Sequence, residues 1–428
     1  MSAIIFPVVS ICLLGLIAYR FWKNEPMLRR VYWPALVCKL IGGISLGLVY
    51  RYYYQAGDTF LFFHDGKMLT EWGKENFEAY CRFLWQSDDR FPIWNSLSGH
   101  EPRTLFFSKI VSLVNFITNE NYWISSCYFS FASFLSAMIL ARTLIRFYPA
   151  AGIAAVLSCL FIPSVVFWSA GMVKECVAMM SLCFLASIFL RVMKDDDFYS
   201  MDVLRTIFFL WILWNTKYYY AALFLIVSTT SILVKIIAGR YRHVALYKQL
   251  IAWMIVFFAP FSIAAWLRPN FRYENFFHVV VENNQAYNAL SIHNDVIHYQ
   301  SLQPTITSLL VNAPWALFSG LFRPFPWEAQ TIFQLLVSVE NILLLILLIM
   351  SVKSIARCKT IDCLIIWSAA VYIVLLCTFL ALSAPNFGTL SRYRVCFLPF
   401  LFFLVSCDNL LIRRFQAIIE RSFSHLAP

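Results

Sequence analysis

Three side chains that can exchange protons lie close together in the segment Gly57-Asp58-Thr59-Phe60-Leu61-Phe62-Phe63-His64-Asp65-Gly66, directly after an apolar run. The carboxylates Asp58 and Asp65 can each act as a general base. His64 can bind substrate, or it can complete a divalent-metal site with Asp65, although a metal is not favoured. A carboxylate at this position can also be a plain interfacial charge, so the rest of the chain has to decide between these interpretations.

Basic side chains form a second group with chemical potential. Arg392 and Arg394 lie one residue apart in the segment 384–394, immediately before an apolar run, and Arg323 begins the turn Arg323-Pro324-Phe325-Pro326-Trp327-Glu328. The planar guanidinium binds phosphate oxygens through two parallel hydrogen bonds and keeps its charge at any working pH. These three arginines therefore predict a binding site for a lipid phosphate.

Two further positions place charges at the ends of apolar runs. Lys174 and Glu175 begin one such run, and Lys217 separates two short runs beside Tyr218, Tyr219 and Tyr220. Ionisable groups at the hydrocarbon boundary are costly and are often functional. We expect Lys174 and Glu175 to bind substrate, whereas an interfacial pair and an aromatic belt with a snorkelling lysine are the structural alternatives.

Composition identifies the class of protein. Of 428 residues, 61% are hydrophobic and only 13% are charged, and the mean hydropathy is +0.69, as in a polytopic membrane protein. The net charge of +11 comes from short basic clusters between apolar runs, which is typical of cytoplasmic loops and not of nucleic-acid binding. The twelve cysteines have no metal-ligand spacing and imply no disulfide framework.

Charge distribution predicts the topology of a single all-α integral-membrane domain over residues 1–428, with the N-terminus outside and the C-terminus inside. Basic clusters at Arg20 to Arg30 and in alternate later connections mark the cytoplasmic side. About eleven spans result: 3–19, 32–50, 122–141, 151–168, 172–190, 204–216, 218–236, 249–267, 331–352, 361–383 and 395–412.

Two long connections fall on the outer side. Residues 51–121 contain no apolar run of about 20 residues, but Lys67 to Phe83 and Thr104 to Ile117 have helical periodicity and predict interfacial helices. In the region 268–330, the apolar segment 306–322 is interrupted by Asn312 and Pro314 and predicts a re-entrant or interfacial helix. The run Asp195-Asp196-Asp197 is expected to be a solvated cytoplasmic loop.

This arrangement resembles the C-type glycosyltransferase superfamily. The resemblance rests on an acidic residue just after a span in Gly57-Asp58-Thr59, on the segments 167–175 and 386–394, and on a late outer loop that carries arginine. It implies an integral enzyme of the bacterial inner membrane that takes a sugar from a polyprenyl-phosphate donor to a glycan, lipid or protein acceptor on the periplasmic face. The two adjacent acids usual in that family are absent here.

Glycosyl transfer requires a base for the acceptor hydroxyl and a cation for the leaving phosphate. One carboxylate predicts inversion at the anomeric carbon, whereas double displacement needs a second carboxylate about 5 Å away. Asp58 is the preferred base, and Asp65 is its alternative or partner. An O-antigen or capsule repeat-unit polymerase is the competing enzyme, and a transporter or flippase for a lipid-linked sugar is the competing non-enzyme.

Overall fold

The computed structural model describes residues 2–55, 57–240, 245–267, 273–291, 295–355 and 361–414. This part of the chain is helical and contains no β-strand, only an isolated bridge between Val296 and Asn386. The all-α class is therefore confirmed. Four basic residues that mark predicted cytoplasmic loops, Arg242, Arg357, Lys359 and Arg421, lie outside the described residues, as do residues 268–272 and 292–294 of the second outer region.

Seventeen helices follow one another along the described chain. They are α1 Ser2–Lys23, α2 Arg29–Leu48, α3 Asp58–Glu75, α4 Phe77–Trp85, α5 Pro102–Thr118, α6 Tyr122–Phe147, α7 Gly152–Leu160, α8 Pro163–Trp168, α9 Lys174–Met193, α10 Ser200–Arg240, α11 Leu246–Leu267, α12 Tyr273–Leu290, α13 Ile306–Phe322, α14 Ile332–Ile355, α15 Cys363–Ser383, α16 Phe387–Tyr393 and α17 Leu398–Ser406.

Seven helices of the described chain are long and apolar enough to cross a membrane, or eight if the bent pair Phe387–Cys396 and Leu398–Ser406 is one span. Several long apolar helices fit a membrane protein, but the predicted count of about eleven is not reached among them. The difference lies in four places. The predicted span 151–168 is divided between α7 and α8, and 249–267 corresponds to α11, which gives only a shorter apolar helix. The predicted spans 204–216 and 218–236 count together in α10, and 395–412 overlaps the bent pair.

The helix α10 has a break where the sequence predicts a turn. Over its 41 residues, only Lys217 departs from helical dihedral angles, with φ −146° and ψ 75°. Without a kink, 41 helical residues would extend about 60 Å, roughly twice the thickness of a hydrocarbon core. The backbone on both sides of Lys217 is helical, so α10 consists of two helices that meet at a kink at Lys217.

The chain divides into two compact units, which are described separately. Unit 1 comprises Met1–Arg142, Val165–Ala186 and Ser200–Tyr219, and unit 2 comprises Thr143–Ser164, Ser187–Tyr199 and Tyr220–Pro428.

In unit 1, the segment 51–121 folds around its own hydrophobic core. Helices α3 and α5 pack closely at Gly66, where an added Cβ would lie 2.6 Å from Val111 Cγ1. The core beside this contact consists of buried apolar side chains from α3, α4, α5 and the turn between the last two: Leu69, Tyr80, Phe83, Ile93, Leu97 and Leu105. Helices are thus present where the sequence predicts interfacial helices, and their packing fixes the start of α3.

In unit 2, charged residues from several connections meet in one network. Asp196, expected to be solvated, accepts two hydrogen bonds from Arg146, at 3.0 and 2.7 Å, and one from Arg191 Nε at 3.1 Å. Further ion pairs join the neighbouring residues of this run to other helices: Asp195 to Lys235 at 2.7 Å, and Lys194 to Asp362 at 2.6 Å. The run 195–197 therefore ties together connections that the charge distribution assigns to a single side.

Candidate active site

The backbone before α3 requires glycine and so fixes the position of Asp58. Gly57 has φ +137°, a conformation that residues with a Cβ rarely adopt, and an added Cβ would lie 2.4 Å from the Tyr50 ring. Asp58 is the first residue of α3 and is exposed. A carboxylate in the first turn is stabilised by the helix dipole, and here it also remains accessible to a substrate.

Asp65 lies two turns further along α3 in a different environment. Its side chain is fully buried, and its two carboxylate oxygens accept hydrogen bonds from the backbone amides of Ser98, at 2.9 Å, and Gly99, at 3.0 Å. These bonds hold the segment before α5 against α3. His64, the residue before it, points to a different side of the helix and is exposed.

Lys174, at the start of α9, is the centre of a charged cluster in unit 1. Its Nζ donates to Thr104 Oγ1 at 2.9 Å, lies 3.9 Å from a carboxylate oxygen of Glu101, and sits 5.1 Å from the centre of the Phe62 ring. It also interacts electrostatically with Asp58. The structure thus brings together Asp58 and Lys174, two residues selected from the sequence that are more than a hundred positions apart.

The adjacent residue, Glu175, forms a buried ion pair. Glu175 Oε1 lies 2.9 Å from Lys217 Nζ, and the two residues are 0% and 7% exposed. Lys217 reaches this carboxylate from the break in α10. Two charges taken out of water in this way are stable only as a pair, so the ion pair couples the start of α9 to the break in α10.

Glu101 balances the positive charges of the cluster. Burial acts to raise the pKa of Glu101, but the charges of Arg103 and Lys174 outweigh it and hold this pKa below its ordinary value. Arg103 pairs with the Glu101 carboxylate and lies 5.4 Å from the centre of the Tyr218 ring. The cluster therefore keeps Glu101 ionised beside Lys174 at neutral pH.

An apolar groove of about 950 Å³ borders this cluster in unit 1. Pro102, which lies between Glu101 and Arg103, and Cys176, two residues after Lys174, both line it. Lys109 is a polar group in its wall, and burial lowers the pKa of Lys109 to about 8. Most of the remaining wall is aromatic and aliphatic and includes Leu84, Trp85, Trp94, Leu105, Phe106, Ile110, Leu113, Phe129, Val177, Met180, Phe208 and Trp211.

The arginines selected from the sequence belong to unit 2. Arg323 is largely buried and forms an ion pair with Glu328, with its Nε 2.8 Å from Glu328 Oε1. Its guanidinium lies 5.3 Å from the centre of the Trp315 ring and 5.1 Å from that of Phe387. These contacts fix Arg323 in one orientation.

Arg394 is completely buried in the same unit. Its Nη1 donates to Asn341 Oδ1 at 2.9 Å and to Leu321 O at 3.3 Å, while Nε and Nη2 have no hydrogen-bond partner among the described residues. Arg392, two positions earlier on α16, is partly exposed. The two neighbouring arginines thus differ, since only Arg392 presents its side chain at a surface.

The segment that carries these arginines is anchored by Asp295. This carboxylate accepts hydrogen bonds from Gln334 Nε2 at 2.5 Å and Asn386 Nδ2 at 3.0 Å, and Asn386 Oδ1 in turn caps α16 at the Thr389 amide. Burial raises the pKa of Asp295 above its ordinary value, although both hydrogen bonds act to lower it. Sequence reasoning missed Asp295 because an isolated acid in a polar loop has no distinguishing pattern.

Other participants were also missed or left open by the sequence. No sequence pattern distinguished Glu101. For Lys217, the sequence left two interpretations open: a site residue, or a snorkelling lysine in an aromatic belt. Lys39 lies buried within α2 and donates to Ser169 Oγ at 2.5 Å. This residue could have been found from the sequence, because Lys39 lies in the middle of an apolar run, where an ionisable side chain needs a partner.

No group of three or more His, Cys, Asp or Glu side chains in the described ranges could hold a metal ion. In comparisons with known proteins, no family model, no curated protein and no solved structure matches this chain.

Proposed function

We propose that this protein is a membrane glycosyltransferase that transfers a sugar from a polyprenyl-phosphate donor to a glycan, lipid or protein acceptor on the non-cytoplasmic face. The observation that carries this proposal is the charged cluster of unit 1, in which Lys174 contacts Thr104 and Glu101 within electrostatic range of the exposed Asp58, beside an apolar groove. A carboxylate, a cation and an adjoining apolar wall match the three parts of the reaction: an acceptor hydroxyl, a leaving phosphate and a prenyl chain.

In the proposed reaction, Asp58 takes the proton of the acceptor hydroxyl as its oxygen bonds to the anomeric carbon. The bond from that carbon to the phosphate oxygen breaks, and the polyprenyl phosphate leaves with the electron pair. Lys174 stabilises the charge that develops on this phosphate. Arg392, Arg394 and Arg323 belong to unit 2; as phosphate ligands they stay predictions from the sequence, and no step is assigned to them here. Glu175 would act by holding Lys217, and no step is assigned to His64.

The environment of the two aspartates supports Asp58 as the base. Asp65 already has both carboxylate oxygens bonded to backbone amides, whereas Asp58 is exposed. Seven residues of helix separate their backbones by about 10 Å, about twice the carboxylate spacing of a double displacement. This geometry supports a single displacement with inversion.

A donor-binding experiment tests the proposed cation. We expect Lys174→Ala to weaken binding of farnesyl phosphate to the purified protein by about tenfold to a hundredfold, the effect of losing a charge-assisted hydrogen bond. Arg392→Ala is expected to weaken it as well. Lys74→Ala is the matched control, because this exposed lysine of the same unit pairs with Glu120 and should leave the dissociation constant unchanged. Unchanged binding in Lys174→Ala would move the phosphate site out of this cluster.

For the topology, we propose the eleven-span arrangement with the N-terminus outside, in a bacterial inner membrane, with the active site on the periplasmic face. The ion pairs of Asp195 and Asp196 with Lys235, Arg146 and Arg191 support it, because all five residues belong to connections that the charge distribution assigns to the cytoplasm. In this arrangement the single break in α10 serves as the turn between two spans.

Thiol labelling tests this topology. Cys81 in α4 and Cys363 at the start of α15 are both exposed and are assigned to opposite sides of the membrane. In single-cysteine variants of intact spheroplasts, a charged maleimide is expected to label Cys81 and to reach Cys363 only after the membrane is permeabilised. Cys12 is the control, since it is exposed on the apolar helix α1 and should exclude a charged reagent in both conditions. The reverse labelling of Cys81 and Cys363 would invert the topology.

A further inference from the structure

Helix α4 presents a polar and aromatic stripe on its outer surface. Glu78, Arg82 and Trp85 follow one another at spacings of four and three residues, which places them on one helix face. The opposite face carries Tyr80 and Phe83, which are buried in the core of segment 51–121. The stripe is therefore held on a rigid support and has no role in packing this core.

Trp85 is the most exposed aromatic residue of this surface. Its side chain is 93% accessible, although a tryptophan gains several kcal/mol when it is buried. Beside it lies an open cavity of about 690 Å³, lined by Glu78, Cys81, Arg82, Trp85, Gln86, Arg90 and Phe91. Trp85 and Cys81 also line the 950 Å³ apolar groove, so the two spaces adjoin at this tryptophan.

Planar polar groups around the cavity form ion pairs. Arg82 Nη2 lies 2.6 Å from Glu78 Oε1, and Arg90 pairs with Asp88, which also accepts the Arg90 backbone amide at 3.1 Å. A guanidinium has five N–H donors, so each of these arginines has donors that its ion pair does not use. The cavity thus combines one aromatic plane with planar hydrogen-bonding groups.

This combination matches the chemistry of a pyranose ring. One face of such a ring presents C–H groups, which pack against an indole plane, and its edge presents neighbouring hydroxyls, which bind planar donors and acceptors in pairs. We infer that the cavity at Trp85 binds a saccharide, and that this saccharide is the acceptor glycan. The second half of this statement rests on the proposed function.

The experiment measures saccharide binding without requiring turnover. Purified full-length protein in detergent is titrated with a panel of neutral and uronic-acid-containing tri- to hexasaccharides. Saturation-transfer NMR measures the binding of each saccharide. We expect binding of at least one panel member, weakened at least tenfold by Trp85→Ala and largely kept by Trp85→Phe. Phe77→Ala, an exposed aromatic at the start of the same helix and outside the cavity, is expected to bind as the wild type does.

Two results would overturn the inference: no binding of any panel member by the wild type, or equal binding by the wild type and Trp85→Ala. Fluorescence of the protein in nanodiscs adds an independent measurement. If brominated acyl chains quench the part of the emission that Trp85→Phe removes, Trp85 lies in the bilayer and the inference fails. The catalytic proposal is tested separately, by glycan transfer in Asp58→Asn, because the saccharide titration requires no turnover.

Discussion

Replacing Asp58 with asparagine is expected to abolish glycan transfer while the protein still folds and inserts. Removal of a general base costs a factor of about 10² to 10⁴ in rate. Asp58 is exposed at the first position of α3, and asparagine keeps its size and its place in the first turn. The measurement is transfer of glycan in isolated membranes, with protein level and thermal unfolding recorded for the same preparation.

Asp65→Asn is the matched control for this prediction. An amide at this position accepts from only one of the Ser98 and Gly99 backbone amides, so a buried donor is left unsatisfied at a cost of about 1 to 3 kcal/mol. We therefore expect Asp65→Asn to lower the unfolding temperature while the folded fraction still transfers glycan. Normal transfer in Asp58→Asn would refute the base assignment and favour the repeat-unit polymerase, which needs no acid in this segment.

The second large effect is expected at the buried pair of Glu175 and Lys217. Lys217→Met leaves the Glu175 carboxylate buried without its cation, which typically destabilises a protein by about 3 to 5 kcal/mol. Glu175→Gln alone is expected to destabilise it in the same way. The double variant removes both charges and should recover most of the lost stability, as measured by denaturant unfolding in detergent.

The exposed pair Lys67–Glu71 provides the comparison. Its N–O distance is 3.5 Å and both side chains are about half accessible, so Lys67→Met is expected to change the free energy of unfolding by less than about 1 kcal/mol. If Lys217→Met were equally mild, or if the double variant were as unstable as the two single ones combined, the pair would not couple α9 to the break in α10.

Some residues of the candidate site could be predicted from their type and position in the sequence, and others could not. Asp58 was recognisable because a carboxylate followed an apolar run, and Lys174 and Glu175 because they stood at the start of another. Nothing in the sequence indicated that Asp58 and Lys174 interact, since residues this far apart are joined only by helix packing. For the same reason, Glu101 and Asp295 became visible only from their contacts.

The number of membrane spans was also only partly predictable from the sequence. Mean hydropathy identifies where the chain is apolar. Helical periodicity predicts helices over Lys67 to Phe83 and Thr104 to Ile117; the structure divides the first between α3 and α4 and has the second within α5. Mean hydropathy does not reveal whether an apolar run is one straight helix, as the division of segment 151–168 between α7 and α8 shows. Backbone breaks depend on local dihedral angles and on neighbours that a hydropathy window does not include.

The sequence by itself determined the class of protein, the apolar segments and the residues able to do chemistry, because composition, charge and side-chain type are local properties. The tertiary structure decided which of those residues act together. It buried Asp65 on two backbone amides and left Asp58 exposed, and it made Arg394 an interior group while Arg392 remained partly exposed. Burial and partnership arise from packing between distant segments, so they distinguish side chains that look equivalent in the sequence.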